Sequence, residues 1–397
     1  MSQPVFVDVR SDADVERFVA AESEAFGESL EEGLREYRAM LPHAVLRMGC
    51  VDDQAVAGYS LMPAGQFLGG RSVGAECVTS VFVHPAWRRR GIAGALLRDL
   101  VDVARVSGTA IAPLYASTTR LYRRWGWEVG DRTLVNRVRA DALSRFRGEG
   151  QARRNPDRAA VEAMRRAHLH RFDGPLDRPD WWLAVQWDTE ATAHERCDYG
   201  WFEDETLTGF VRYKYAHPVD WSAPGTIDVY ELVATTVDAL HGLFGLVGSH
   251  ESQAGDVVFK RAAFPGRDLL YLLPDVDKAV AIRGSVCWMQ RIIDVSRAVE
   301  QRGWRAGIDA RLELEVSDPC EDGATRLVLE VASGRGHATV GGAGGIRCGI
   351  GALSVWYSSR LRASDASRLG LLEGPPGDIE TMDALVGDRP TWAPDYF

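Results

Sequence analysis

The residues that most invite a chemical reading are Arg88-Arg89-Arg90-Gly91-Ile92-Ala93. A β-rich run precedes them at 78–83, and Ala95, Leu96, Leu97 and Leu100 follow at helical spacing. The arginines and Gly91 therefore fall where a strand hands over to a helix N-terminus. Backbone N–H groups there lack intrahelical partners and lie at the positive end of the helix dipole, which favours a bound anion. Gly91 and Ala93 leave room for a phosphate to approach the backbone, and the arginines add charge-assisted donors. The plainer alternative is a basic helix start on the surface. The strand before and the amphipathic helix after favour the phosphate cradle. The histidines carry little: His84 ends the strand before Pro85, and His168 and His170 are too close to share a metal at i, i+4 spacing. No metal is expected.

The elements that must position this cradle read in order along the chain. Residues 5–10 alternate as a first strand, and Ser11-Asp12-Ala13-Asp14 supplies a cap for a helix carrying Val15, Phe18 and Val19. A polar helix over 29–40 places Leu30, Leu34 and Tyr37 on one face. Its acids, Glu28, Glu31, Glu32 and Glu36, are read as a solvated face, with a pocket for a cationic substrate as the alternative. Residues 45–51 and 54–62 form a hairpin turning at Asp52-Asp53. Beyond the cradle and its helix, 111–116 is an apolar strand, and Ser117-Thr118-Thr119 caps a short helix over 120–125.

The rest of the chain repeats this pattern and then leaves it. Residues 140–158, rich in Arg, Gly, Asp and Asn, read as a linker. Strands near 199–202, 209–215 and 226–234 lead into a helix at 237–248, the strand-strand-strand-helix order of the first unit. No R-x-x-G-x-A follows the last of these strands, which predicts a degenerate copy without its phosphate loop. From 286 the spacing predicts a helix over 289–302, alternating strands at 310–316 and 326–332, turns through the glycine-rich 334–351, and a helix over 350–360. The glycine run lacks dinucleotide-motif spacing and is given no phosphate role. Residues 390–397 are apolar and aromatic, which predicts a docked tail rather than a free one.

Composition narrows the function. The 397 residues are 46% hydrophobic and 26% charged, ordinary values for a chain that folds as several domains. A net charge of −10 argues against a general nucleic-acid binder. The six cysteines are scattered without a C-x-x-C pair, as in a reducing compartment, and suggest neither a disulfide frame nor a zinc site. With no apolar run long enough to span a bilayer and no signal-like N-terminus, a soluble cytoplasmic protein without membrane insertion is expected.

The strand, the R-x-x-G-x-A loop and the helix resemble the pyrophosphate-binding segment of GCN5-related N-acetyltransferases (GNAT). The segment Leu121-Tyr122-Arg123-Arg124-Trp125-Gly126-Trp127 resembles the aromatic closing segment of the same superfamily. Together with the degenerate copy, the α/β C-terminal part and the aromatic end, the chain resembles the Eis (enhanced intracellular survival) type found in actinobacteria. The likeness is specific at 78–93, at 117–127 and at the Asp-aromatic-Phe end. It implies an α/β (α+β) fold with tandem GNAT-like domains: a catalytic acetyl-CoA-binding domain at 1–145 and a degenerate one at 146–285. A sterol-carrier-protein-like α/β domain follows at 286–397, its C-terminus entering the active site.

The implied activity is acetyl-CoA-dependent N-acetylation of primary amines on polycationic substrates (aminoglycosides, polyamines or lysine side chains) by a homo-hexamer. A lipid or sterol carrier, or a catalytically silent acetyl-CoA-binding protein, is the alternative. Attack on a thioester needs a base to free the amine and an acid for the departing thiolate. By resemblance the acid is Tyr122 and the base is the α-carboxylate of Phe397. The resemblance also implies that Val81, Phe82 and Val83 pair with the cofactor like an added strand. Arg88, Arg89, Arg90, Gly91, Ile92 and Ala93 then hold its pyrophosphate, and Ser117 adds a contact. Glu22, Glu24, Phe26 and Asp395 are the candidates for contact with the amine substrate.

Overall fold

Among the described residues, strands drawn from residues 5–292 join edge to edge into one sheet of thirteen strands. The computed structural model describes residues 3–182, 196–218 and 224–397. In it, β1 (Val5–Asp8), β2 (Val45–Val51), β3 (Gln54–Leu68) and β4 (Arg71–Val83) form an antiparallel run, and β5 (Ile111–Ala116) adds parallel to β4. The β2–β3 hairpin turns at Asp52 and Asp53, both left-handed, as a two-residue turn that matches strand twist requires. Helix α1 (Asp12–Phe26) starts at a capping box: the Ser11 hydroxyl accepts from the Asp14 N–H, and the Asp14 carboxylate accepts from the Ser11 N–H. Helix α2 (Leu30–Met40) follows, and α3 (Ile92–Val106) crosses from β4 to β5. Its buried stripe of Leu96, Leu97, Leu100 and Val101 packs on Val78, Leu114 and Met289 of the sheet.

The remaining strands of this sheet are β6 (Glu128–Arg139), β7 (Gln151–Arg154), β8 (Leu176–Asp177), β9 (Arg196–Glu203), β10 (Thr206–Ala216), β11 (Gly225–Ala234), β12 (Ala254–Phe259) and β13 (Val280–Ile292). After β5 the spatial order is β13, β6, β12, β11, β10, β9, β7, with β8 pairing on β3. Strand β13 thus lies antiparallel between β5 and β6, although more than a hundred residues separate it from either. This overturns part of the expected helix over 289–302. Met289 and Ile292 have helical spacing, but both are buried and pair with Leu114 and Ile111; the helix is confined to Val295–Gln301. A central strand is apolar on both faces, so local periodicity cannot separate it from a buried helix. Val286 lies inside this strand.

Residues 140–158 are not a bare linker either. They contain a helix, Ala140–Leu143, whose ends are buried, and the edge strand β7. Edge strands need few apolar residues, which hides them in a composition reading. Past the second unit, a sheet of five strands is built from β14 (Ala310–Ser317), β15 (Ala324–Ala332), β16 (Arg335–Val340), β17 (Ile346–Gly349) and β18 (Leu372–Glu373), in the order β16-β15-β14-β17-β18. The glycine-rich stretch therefore holds two strands as well as turns. Leu312, Leu329 and Trp356 of this part share one core with Leu68, Val73 and Ile111 of the first sheet. The C-terminal domain is thereby welded to the first unit. Among the described residues no helix is long and apolar enough to cross a membrane.

Candidate active site

The site begins with a defect in β4. Between Gly58 and Ser60 of β3 the register slips, and Ser80 takes a left-handed φ of 56°. The extra residue is a β-bulge, which bends the strand. Strands β4 and β5 pair at Ala75–Ile111 and at Val78–Leu114. Beyond Val78 they part, so the backbone of Val81 and Val83 faces a gap while the other edge of β4 stays on β3. An unpaired strand edge is a template for an extended ligand.

The gap leads to a cleft of about 540 Å³ lined by Val83, Arg89, Gly91, Ala93, Leu121 and Trp125. Helix α3 starts at Gly91, whose φ of 82° is a glycine conformation, and nothing among the described residues lies within 4 Å of the place where a Cβ would stand. The first helical bonds run from the Gly94 and Ala95 N–H groups back to Gly91 O, at 3.0 and 3.3 Å, which leaves the N–H groups of Ile92 and Ala93 facing the cleft end. Open space, orphan donors and the helix dipole together fit a pyrophosphate. The arginines divide their roles, against expectation. Arg88 donates through Nε to Val83 O (3.1 Å) and through Nη2 to Ala25 O (3.2 Å), so it staples the end of β4 to α1. Arg90 stacks on Trp87 at 4.8 Å, and Arg88 and Arg89 both line the cleft. Phe82 and Ile92 turn their side chains into the core, which leaves only their backbone for a cofactor.

On the other side of the gap lies a larger pocket of about 930 Å³, and its lining is acidic and aromatic. Glu22 of α1, Glu28 and, from α2, Glu32 and Glu36 all face it. The reading of that α2 face as merely solvated is corrected here, because α2 lays these acids over the bulge of β4. Glu22 is buried and accepts a short hydrogen bond from the Tyr37 hydroxyl, which also contacts Ser80 Oγ on the bulge. Burial pushes the Glu22 carboxyl up to about 7, partly opposed by the bonds from Tyr37 and Ser80. Glu36 opens onto the pocket, yet desolvation and the neighbouring Glu28 raise its carboxyl as well. Phe26 lines the rim, its ring 6.5 Å from Phe82. Glu24 does not reach this pocket; it meets His84 Nε2 at 2.8 Å on the surface.

Tyr122 and Ser117 join the pocket at the point where β4 and β5 separate. Helix α4 (Thr119–Arg123) carries Tyr122 and is capped at Thr118 without a side-chain bond, so the expected cap chemistry is absent and Ser117 faces the pocket. The Tyr122 ring packs edge-on against Trp127 at 6.0 Å. Its hydroxyl meets no hydrogen-bond partner among the described residues, and burial pushes its pKa up to about 12. A phenol so placed stays protonated. The tail completes the wall: Tyr396 and Phe397 line the pocket, with rings 4.8 and 5.3 Å from Tyr115 of β5.

Asp395 departs from its expected role. Rather than facing an amine, its carboxylate is buried and accepts from Arg165 Nη2, from Arg178 Nε (2.6 Å) and from the Leu176 N–H (2.6 Å). It is engaged inside the protein and is not among the residues that line the pocket. Sequence reasoning also passed over Tyr37, Ser80, Tyr115, Trp181 and Trp182, which share the pocket wall. A serine within the apolar run at 78–83 was the one local sign of the bulge.

Splayed parallel strands, a glycine-started helix below the gap and a phenol above it define an acetyltransferase fold of the GNAT class, here in tandem with a further α/β domain. Family models agree. Two described as "Acetyltransferase (GNAT) domain" match residues 8–130 and 174–292, and one described as "Sterol carrier protein domain" matches 295–394. An uncharacterized N-acetyltransferase of Streptomyces avermitilis is 27% identical over the full length of both chains. N-acetyltransferase Eis of Mycobacterium tuberculosis is 27% identical over 65% of this chain and 64% of its own. A crystal structure of a GCN5-related N-acetyltransferase from Anabaena variabilis shares the fold, with a TM-score of 0.89 at 21% identity over 99% of this chain and 100% of that one. The chain belongs to the GCN5-related N-acetyltransferases and is Eis-like among them.

Proposed function

We propose that the protein transfers the acetyl group of acetyl-CoA to primary amines of polycationic small molecules or lysine-bearing peptides. The observation that carries this reading is the junction of two unlike cavities at the β4–β5 gap: an anion cradle on one side, a pocket of glutamates and aromatic rings on the other. The thioester of acetyl-CoA would lie along Val81 and Val83, whose backbone groups hold it as an added strand. Clustered carboxylates attract an ammonium-rich substrate, and aromatic faces favour cations at close range. Aminoglycosides, polyamines and lysine side chains share that chemistry.

In this reading Tyr122 donates its proton to the departing CoA thiolate. For a chain that ends at Phe397, the α-carboxylate there takes the proton of the attacking amine. An α-carboxyl near 3.5 is a weak base in water, so the role asks for partial desolvation at the chain end, where the Phe397 ring packs against Tyr115 and Trp182. Glu22 and its Tyr37–Ser80 partners hold an ammonium nearby. The proposed assembly is a homo-hexamer, which light scattering tests against the 43.7 kDa chain. The functional test is CoA release from acetyl-CoA over a panel of polyamines, aminoglycosides and lysine peptides, with a one-glycine extension after Phe397 as the base control. Amine-dependent release that the extension abolishes supports the reading. Binding of acetyl-CoA without release on any amine refutes it.

A further inference from the structure

The tail that ends in Tyr396 and Phe397 is held by the second acetyltransferase-like unit. Arg165 lies on the helix Arg158–Leu169, Arg178 follows β8, and Glu231 sits on β11. Glu231 accepts from Arg165 Nε at 2.7 Å and Arg178 Nη2 at 3.2 Å, while both guanidiniums also hold Asp395. Two cations and two anions thus close a buried neutral quartet, and the tail contributes one of the four charges. A further carboxyl, Glu162, stands 3.8 Å from Arg165, and burial raises its pKa. The tail is fixed at other points too. Tyr115 donates to Asp395 O at 2.6 Å, Trp392 Nε1 donates to Ala262 O at 2.8 Å, and the Trp392 N–H donates to Asp173 O at 3.0 Å.

We propose that Arg165 and Arg178 are positioning residues for acetyl transfer: the second unit acts as a clasp that fixes the register of the tail, so that Phe397 ends in the pocket beside Tyr122. The proposal rests on the reading of Phe397 as the base. Buried ion pairs contribute little net stability against apolar packing, and setting register is their best-attested use. The lever is short. Asp395 and Phe397 lie two positions apart with Tyr396 between them, roughly 7 Å of extended chain, and a slip of one residue moves the end by about 3.5 Å. Proton transfer requires heavy atoms within about 2.6–3.2 Å. One slipped register is therefore enough to take the base out of reach while the acetyl-CoA cleft remains as it was.

The test compares Arg165→Met, Asp395→Asn and the double variant with wild type. It reads carboxypeptidase release of Phe397 and Tyr396, acetyl-CoA affinity, the urea midpoint and turnover. The clasp predicts that each single variant releases its tail residues at least about tenfold faster and loses about a hundredfold in kcat, with acetyl-CoA affinity unchanged. The double variant removes one charge of each sign. It is expected to recover the urea midpoint but neither protection nor kcat. If kcat returns together with the midpoint, the network is merely structural and the proposal falls. Equal release rates in wild type and Arg165→Met overturn it whatever turnover shows. Should the single variants fail to fold, Arg165→Lys keeps the charge and loses the two-pronged grip; unchanged protection and kcat in that variant overturn the proposal as well. Full activity in the one-glycine extension would instead sink the base assignment, and the protease readout still reports on the clasp.

Discussion

Glu22→Gln separates electrostatics from shape at the amine pocket. The amide replaces the carboxyl atom for atom: its oxygen still accepts from Tyr37, and its NH2 donates to Ser80. What is lost is a buried charge. The Glu22 carboxyl titrates at about 7 in the folded chain against an ordinary 4.5, because burial disfavours its ionised form. The folded state therefore binds more protons than the unfolded state between those values, and stability falls as pH rises through that window. At 1.36 kcal/mol per pH unit the loss is complete near pH 8 and amounts to roughly 3 kcal/mol. Urea unfolding of Glu22→Gln should match wild type near pH 4 and exceed it by roughly that amount at pH 8. Activity should move oppositely. Ionised Glu22 is about ten times more abundant at pH 8 than at pH 6 for a group titrating near 7. The ratio of wild-type to variant kcat/KM on a cationic amine should then rise about tenfold over that interval. A hydrogen bond to a charged group is worth about 1.5–3 kcal/mol, so the variant should be some 10- to 100-fold worse at pH 8. A ratio that stays flat from pH 5.5 to 8.5 would refute the role of Glu22 as a cation ligand, and equal stability at pH 8 would refute its desolvation.

Three further outcomes are expected. Tyr122→Phe should cut kcat by about 10²- to 10⁴-fold with little change in acetyl-CoA affinity or unfolding midpoint, since its hydroxyl meets no partner in the described structure; rapid-quench kinetics and calorimetry separate the two. Gly91→Val should raise the acetyl-CoA KM tenfold or more, because a side chain at φ 82° costs about 1–2 kcal/mol and fills the open space at the helix start; unchanged KM would remove the cradle assignment. Asp318→Ala should destabilise by roughly 3–5 kcal/mol in urea unfolding. It strands the buried Arg291, whose Nη2 donates to Asp318 at 2.8 Å and whose Nη1 donates to Trp125 O at 2.7 Å at the edge of the anion cleft.

What the sequence disclosed was local, and what it concealed was pairing over distance. The strand, glycine-started helix and short phenol-bearing helix of the first unit are consecutive, so their periodicities and caps are legible. Strand β13 is not legible, because its place between β5 and β6 depends on partners more than a hundred residues away. The acids of α2 illustrate the same limit: spacing shows that they share a face, but only the tertiary placement of α2 over Ser80 shows that the face looks into a cavity. Asp395 is the sharpest case. In sequence it is an acid beside an aromatic end, suited to a cationic ligand. In the fold it meets two arginines first.

The contrast between the two units isolates what makes one of them a candidate site. Both run strand, helix, parallel strand, and both keep the bulge: β11 slips register at Tyr230, as β4 does at Ser80. In the first unit, eight positions, 84–91, lie between strand and helix and shape the cradle. In the second, Thr235 and Thr236 alone join β11 to the helix Val237–Gly248, and Thr236 Oγ1 accepts from the Ala239 N–H at 3.0 Å. Beyond the bulge, the Leu232 N–H already donates to Ala263 O at 3.0 Å, so the turn after β12 covers the strand edge that stays open at Val81 and at the Val83 N–H, the Val83 carbonyl being held by Arg88. Backbone groups satisfied by their own chain have nothing to offer an extended ligand. The retained bulge is therefore not sufficient for a site; an uncovered edge and a loop with room for phosphate decide it. With its edge closed, the second unit is left with its buried charges, and those reach the first unit through the tail.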